Sequence, residues 1–118
     1  MIGFCFGGGL AFNVAAVAEV DVLVSYYGSA LPGLLDLAER VSAPSLYHFG
    51  AADDFIDTET VARIRTAVTS GSVPVEFELY EGANHAFDND VFVLHHPQAS
   101  ALAWERTLAF LARELPVN

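Results

Sequence analysis

The run Val20-Asp21-Val22-Leu23-Val24-Ser25-Tyr26-Tyr27 constrains the fold more than any other stretch of the chain. It is rich in β-branched and aromatic side chains with little polar alternation, the pattern of a parallel strand buried on both faces. Such a strand needs cover above and below, which points to an α/β layered arrangement. Ala43–Gly50 reads as a second strand, with Pro44 at its start where a missing ladder donor is tolerated. Val73–Tyr80 alternates apolar and polar residues and predicts a third strand with one wet face, near a sheet edge.

Helical patterns fill the intervals. Leu10–Ala18 reads as a short buried helix, because its apolar residues surround the axis and its alanines permit close packing. Thr58–Val68 carries Val61, Ile64, Ala67 and Val68 on helical spacing, with Asp57 or Thr58 as N-cap and Gly71 beyond the end. Pro97–Leu115 predicts an amphipathic helix through Ala101, Trp104, Leu108 and Leu111. Gly28, Pro32 and Gly33 punctuate the connection after the first run, and Leu34–Arg40 leaves room for a helical turn or two. The expectation is one domain over residues 1–118, an open and mostly parallel sheet flanked by helices.

Composition narrows the partners. With 53% hydrophobic residues in 118, the chain has the means to build a core. Five basic against fifteen acidic residues give a net charge of −10, which repels nucleic-acid phosphates and anionic membranes. One cysteine, Cys5, cannot form an internal disulfide, so no oxidising compartment is indicated. The uncharged segment Met1–Ala18 lacks the basic start of a secretory signal, and the expected location is cytoplasmic.

Cys5 lies in Gly3-Phe4-Cys5-Phe6-Gly7, a G-x-C-x-G form of the strained strand-to-helix turn that holds a nucleophile clear of the backbone. Gly3 and Gly7 are expected where a Cβ would collide with neighbouring backbone. The helix that follows should favour a thiolate through its unpaired N–H groups and positive end, so Cys5 is expected to titrate below an ordinary thiol. The other reading of Cys5 is a small buried hydrophobe in a turn. The second and third strands end at Asp53-Asp54 and at His85. In open parallel sheets ligands bind outside these carboxyl ends, where a nucleophile, an acid and a base would meet in that chain order. Asp53 could instead cap the next helix, and Asp54 could exchange roles with it. Tyr26 and Tyr27 read as packing residues, with Tyr27 a weaker candidate for substrate contact. The neighbouring His95 and His96 read as surface rather than metal ligands, because adjacent histidines do not both face one site on a regular element.

Taken together, Gly3-Phe4-Cys5-Phe6-Gly7-Gly8, Tyr26-Tyr27-Gly28, Gly50-Ala51-Ala52-Asp53-Asp54-Phe55-Ile56 and Tyr80-Glu81-Gly82-Ala83-Asn84-His85-Ala86-Phe87 resemble the dienelactone hydrolase family. The resemblance implies an α/β-hydrolase fold, of which this chain matches the C-terminal half and lacks the N-terminal strands, including the one that should lead into Cys5. It implies Cys5 as nucleophile, His85 as base and Asp53 as acid, with the Phe6 N–H as one oxyanion donor and no metal or organic cofactor. The family's second oxyanion donor, glutamate and one arginine belong to the N-terminal half, and a second arginine after the histidine is replaced here by Asp88 or Asn89. An anionic dienelactone therefore loses its partner.

The expected activity is hydrolysis of lactones or small activated carboxylic esters by a Cys-His-Asp triad. The alternative is a catalytically silent fragment or subunit that needs a partner chain or a missing N-terminal half, and a homo-oligomer or that half would cover the open edge of the Val20–Tyr27 strand. A thiol-based redox protein is disfavoured, because no second cysteine stands in C-x-x-C spacing.

Overall fold

The computed structural model describes residues 1–115. Four parallel strands, β1 (Ile2–Phe4), β2 (Leu23–Tyr26), β3 (Ser45–Gly50) and β4 (Val75–Tyr80), lie in the order β1-β2-β3-β4. Helices α1 (Phe6–Val17), α2 (Thr58–Thr69) and α3 (Pro97–Glu114) cover them, and two short 3₁₀ segments, Leu31–Gly33 and Leu35–Arg40, bridge β2 to β3. Sequential strands are therefore neighbours, each joined to the next through a helical crossover, as parallel pairing requires.

The expectation that no strand leads into Cys5 is corrected by β1. Ile2, Gly3 and Phe4 pair in parallel register with Val24, Ser25 and Tyr26. Three residues are too few to display a period, and Gly3 reads as a turn signal, so the strand is invisible without its neighbour. The open edge consequently belongs to β1 and not to β2, whose four residues are all buried.

Strands β2, β3 and β4 divide their side chains between two cores. Leu23, Tyr47 and Phe49 face α1 and α2, where they meet Phe12 and Ile64. Val24, Tyr26, Leu46 and Tyr80 face the α3 side, with Phe87 and Phe110. Full burial of a side chain such as Phe12 or Phe110 is worth about 1.5–3 kcal/mol. At the start of α2 the Asp57 carboxylate accepts from the Thr60 N–H at 2.8 Å, as an N-cap should.

Two helices differ from their sequence reading. Helix α1 begins at Phe6, directly after Cys5 and ahead of the apolar pattern read from Leu10, and is not buried all round, since Phe6, Leu10 and Val17 are exposed. Helix α3 buries Ala99, Ala103, Thr107 and Phe110, while Trp104, Leu108 and Ala101 face outward and Leu111 is half-buried. The expected stripe was the more apolar one; the sheet instead selects the narrower face, on which alanines permit close approach and Thr107 finds buried partners. Strand β4 is an edge strand whose polar face stays partly open to water, as its alternation predicted. Glu76 and Glu78 pair there with Arg113 and Arg106 of α3.

Candidate active site

Backbone geometry singles out the rim before any chemistry does. Among the described residues three that are not glycine have positive φ: Cys5 (55°), Tyr27 (37°) and Ala86 (56°). Each follows a strand or adjoins His85, and backbone held in this region is strain that the surrounding packing must overcome.

At Cys5 the turn is locked by hydrogen bonds on both sides. Its N–H donates to the Tyr26 carbonyl (3.0 Å), and its carbonyl accepts from the N–H groups of Gly8 (3.0 Å) and Ser29 (3.1 Å). A Cβ on Gly3 would lie 1.9 Å from the Gly7 carbonyl oxygen, so only glycine fits there. The same requirement expected at Gly7 does not hold, because a Cβ on Gly7 would meet nothing within 4 Å. The second tight position is Gly8, where a Cβ would come within 2.8 Å of the Tyr26 carbonyl oxygen.

The ends of β3 and β4 bring the other two residues to this turn. His85 Nε2 lies 3.0 Å from Cys5 Sγ, and His85 Nδ1 lies 2.9 Å from Asp53 Oδ2. Asp53 Oδ1 accepts from the N–H groups of Phe55 (2.7 Å) and Ile56 (2.9 Å), which leaves Oδ2 aimed at the imidazole. The carboxylate of Asp53 is fully enclosed, whereas Asp54 is exposed and bonds to Asn84. The two aspartates therefore do different work. Asp53 meets His85, and Asp54 ties the loop after β3 to the loop after β4.

The electrostatics follow from these contacts. Burial pushes the Cys5 thiol up, but the hydrogen bond and charge of His85, with the Phe6 N–H and the Ser29 hydroxyl, outweigh it and hold the thiol below its ordinary value. His85 is held above its ordinary value by its hydrogen bond to Asp53, against the opposing effect of burial, with Cys5 adding to the rise. The shifts have opposite sign, and both move the pair toward a Cys5 thiolate beside a His85 imidazolium.

Several contributors were not legible in the sequence. Asn84 Oδ1 accepts from both the Asp54 N–H (2.8 Å) and the His85 N–H (2.6 Å), and its amide donates to Asp54 Oδ2 (2.8 Å). The rings of Tyr27 and Phe55 pack on the imidazole at 5.3 and 5.1 Å between centroids. Tyr27 is 2% exposed, so its ring meets His85 and Phe87 rather than a ligand in solvent. His95 and His96 are half-buried and not simple surface residues, since His95 Nδ1 contacts the Phe87 carbonyl and His96 caps α3 through the Ala99 N–H. Among the described residues no three His, Cys, Asp or Glu side chains gather as metal ligands would.

A sequence model of the dienelactone hydrolase family matches residues 1–115. Carboxymethylenebutenolidase of Pseudomonas putida is 37% identical over 95% of this chain and 47% of its own length. That of Rhodococcus opacus is 32% identical over 100% of this chain and 51% of its own. A crystal structure of a protein assigned as a dienelactone hydrolase, from Klebsiella pneumoniae subsp. pneumoniae MGH 78578, superimposes with a TM-score of 0.83 at 30% identity, over 95% of this chain and 50% of that one. The chain thus spans about half the length of the relatives it matches. Matched by that family's model over residues 1–115, the chain belongs to the dienelactone hydrolase family.

Proposed function

We propose that Cys5, His85 and Asp53 form a catalytic triad that hydrolyses lactones or small activated carboxylic esters. The observation that carries this reading is the unbroken line from Cys5 Sγ through the imidazole to Asp53 Oδ2, with both links at 3.0 Å or less. The names of the relatives support the same substrate class.

In this mechanism the Cys5 thiolate attacks the carbonyl carbon and forms the C–S bond. The carbonyl electron pair moves to oxygen, and the Phe6 N–H, at the start of α1, stabilises that oxyanion. Collapse breaks the ester C–O bond, and His85 Nε2–H protonates the departing oxygen. Water then attacks the acyl-thiol carbonyl as His85 takes its proton, and cleavage of the C–S bond returns the thiolate. Asp53 holds the imidazole with Nδ1–H toward itself, so Nε2 is the atom that exchanges protons with Cys5 and substrate.

Turnover of p-nitrophenyl acetate by wild type, Cys5→Ser and His85→Ala at equal concentration tests the reading. Both variants should lose most activity, Cys5→Ser because His85 would have to activate a much less acidic hydroxyl. Equal rates in all three would overturn it.

A second reading, a silent subunit that works only when completed by another chain or segment, is favoured by the open edge at β1 and by the half-length match to the relatives. Activity that emerges only on addition of a complementing segment would select it.

A further inference from the structure

We propose that Thr107, His48 and Tyr26 are positioning residues for Cys5 and His85, acting through a buried hydrogen-bond chain of fixed polarity that starts at Tyr80. This rests on the reading of Cys5 and His85 as the reacting pair.

His48 sits at the centre of β3, fully buried, and the triad makes no use of it. Its Nδ1 lies 2.8 Å from the Tyr80 hydroxyl and its Nε2 lies 2.9 Å from Thr107 Oγ1. Thr107 Oγ1 in turn lies 2.9 Å from the Tyr26 hydroxyl. Three strands and α3 are thereby joined through four side chains in one layer beneath the site.

Donor and acceptor chemistry sets the direction of the chain. Arg106 lies over the Tyr80 ring, its guanidinium carbon 5.4 Å from the centroid. The positive guanidinium repels the hydroxyl proton, which favours a Tyr80 O–H turned away from it to donate to His48 Nδ1. His48 then carries its proton on Nε2 and donates to Thr107, whose hydroxyl proton has Tyr26 Oη as its acceptor. A protonated His48 would need two acceptors and would face Arg106, and burial together with that guanidinium holds it down to about 3. The neutral Nε2–H form is therefore the resting state. The groups around it are Arg106 and Thr107 from α3, Tyr80 from β4 and Tyr26 from β2, with Asp88 acting on Tyr26.

Tyr26 is where this chain reaches the site. Its carbonyl accepts from the Cys5 N–H at 3.0 Å, and its ring stacks on Phe4 at 4.5 Å between centroids, one residue before Cys5. On its other side it packs edge-on against Tyr27 at 5.9 Å, and Tyr27 packs against His85. A Tyr26 ring whose hydroxyl is anchored thus fixes supports of both Cys5 and His85. Releasing that hydroxyl should widen the sulfur-to-imidazole separation and weaken the influence of His85 on the thiol.

Two measurements test this. Long-range ¹⁵N–¹H correlation spectra of the wild-type protein should show His48 neutral with its proton on Nε2 from pH 5 to 8; a proton on Nδ1, or titration in that range, overturns the polarity. The pH profile of Cys5 alkylation by iodoacetamide is then compared among wild type, Thr107→Val and Thr107→Ser. Thr107→Val should move the midpoint upward by about half a unit, roughly a threefold loss of thiolate below the midpoint, and Thr107→Ser should restore it. If Thr107→Val does not fold, Tyr26→Phe removes the same link and should shift the profile in the same direction. A wild-type profile in a folded but less stable Thr107→Val variant overturns the positioning role alone. An ordinary thiol profile in the wild type overturns the triad reading, and the positioning role with it.

Discussion

Asn84 grips Asp54 from both sides of one peptide unit, accepting from the Asp54 N–H and donating to its carboxylate, each at 2.8 Å. The same amide oxygen accepts from the N–H of His85. The loop that carries the acid and the loop that carries the base are thus fastened by a residue that touches neither imidazole nor thiol.

Asn84→Ala should leave the strands intact and loosen this fastening. Loss of partly exposed hydrogen bonds predicts a stability decrease of about 1 kcal/mol. The alkylation rate of Cys5 at pH 7 should fall by less than about tenfold, because Asp53 still orients the imidazole. Thermal denaturation and iodoacetamide kinetics read the two effects separately. A drop as large as that of His85→Ala would show that Asn84 does more than join the loops.

The lowered Cys5 and raised His85 values predict how reactivity depends on pH. A thiol with a depressed pKa is already ionised at pH values where an ordinary thiol, near about 8.5, is protonated. Alkylation should therefore stay fast below that value and fall only as acid protonates the sulfur through its lowered pKa. His85→Ala removes the hydrogen bond and the charge while leaving burial, so its midpoint should move up to or beyond the ordinary thiol. A midpoint unchanged in His85→Ala would mean that the imidazole does not set the thiol.

The two glycines flanking the nucleophile should respond oppositely to alanine. Gly3→Ala places a methyl 1.9 Å from the Gly7 carbonyl oxygen, a backbone atom that cannot yield, and should leave little folded protein. Gly7→Ala meets no neighbour and lies in the first turn of α1. It should be neutral or stabilise by up to about 1 kcal/mol, since alanine is the better helix former. Circular dichroism melts of both variants decide; equal losses would contradict the spacing at the turn.

Substrate charge offers another test. All five basic residues are arginines, and none lies in the loops that carry Cys5, Asp53 or His85. Asp88, which follows His85 closely, accepts instead from Ser100 at 2.7 Å. Neutral activated esters should thus be cleaved faster than carboxylate-bearing esters of the same size, and added salt should narrow the gap by screening a chain of net charge −10. A preference for the anionic ester would show that a cationic group reaches the site.

The edge at β1 predicts association. Its outward backbone is unpaired by any described strand, and Ile2, Phe4 and Phe6 around it are exposed apolar side chains. Light scattering after size exclusion should give a mass that rises with concentration, and Phe4→Lys should lower it by charging the edge. A strict monomer at all concentrations would count against this surface as a contact.

Much of this protein was determined by local patterns. The apolar run ending at Tyr27 needed burial on two faces, and the helical periods between it and the strands ending at Gly50 and Tyr80 pointed to a parallel sheet with crossovers. Because ligands of such sheets bind at strand C-terminal ends, Cys5, His85 and the pair Asp53-Asp54 could be picked as candidates from chain position together with residue type. What the tertiary structure decided were relations between segments far apart in sequence. Strand β1 exists because three residues find β2 beside them, and the buried face of α3 was chosen by the partners that Thr107 has in His48 and Tyr26, not by the apolar stripe through Trp104 and Leu108. Asp53 and Asp54 are chemically identical neighbours, and only the arrival of His85 on one and Asn84 on the other distinguishes them. A periodicity reports which residues can be buried; it carries no record of which distant group will satisfy a polar atom once burial has removed it from water.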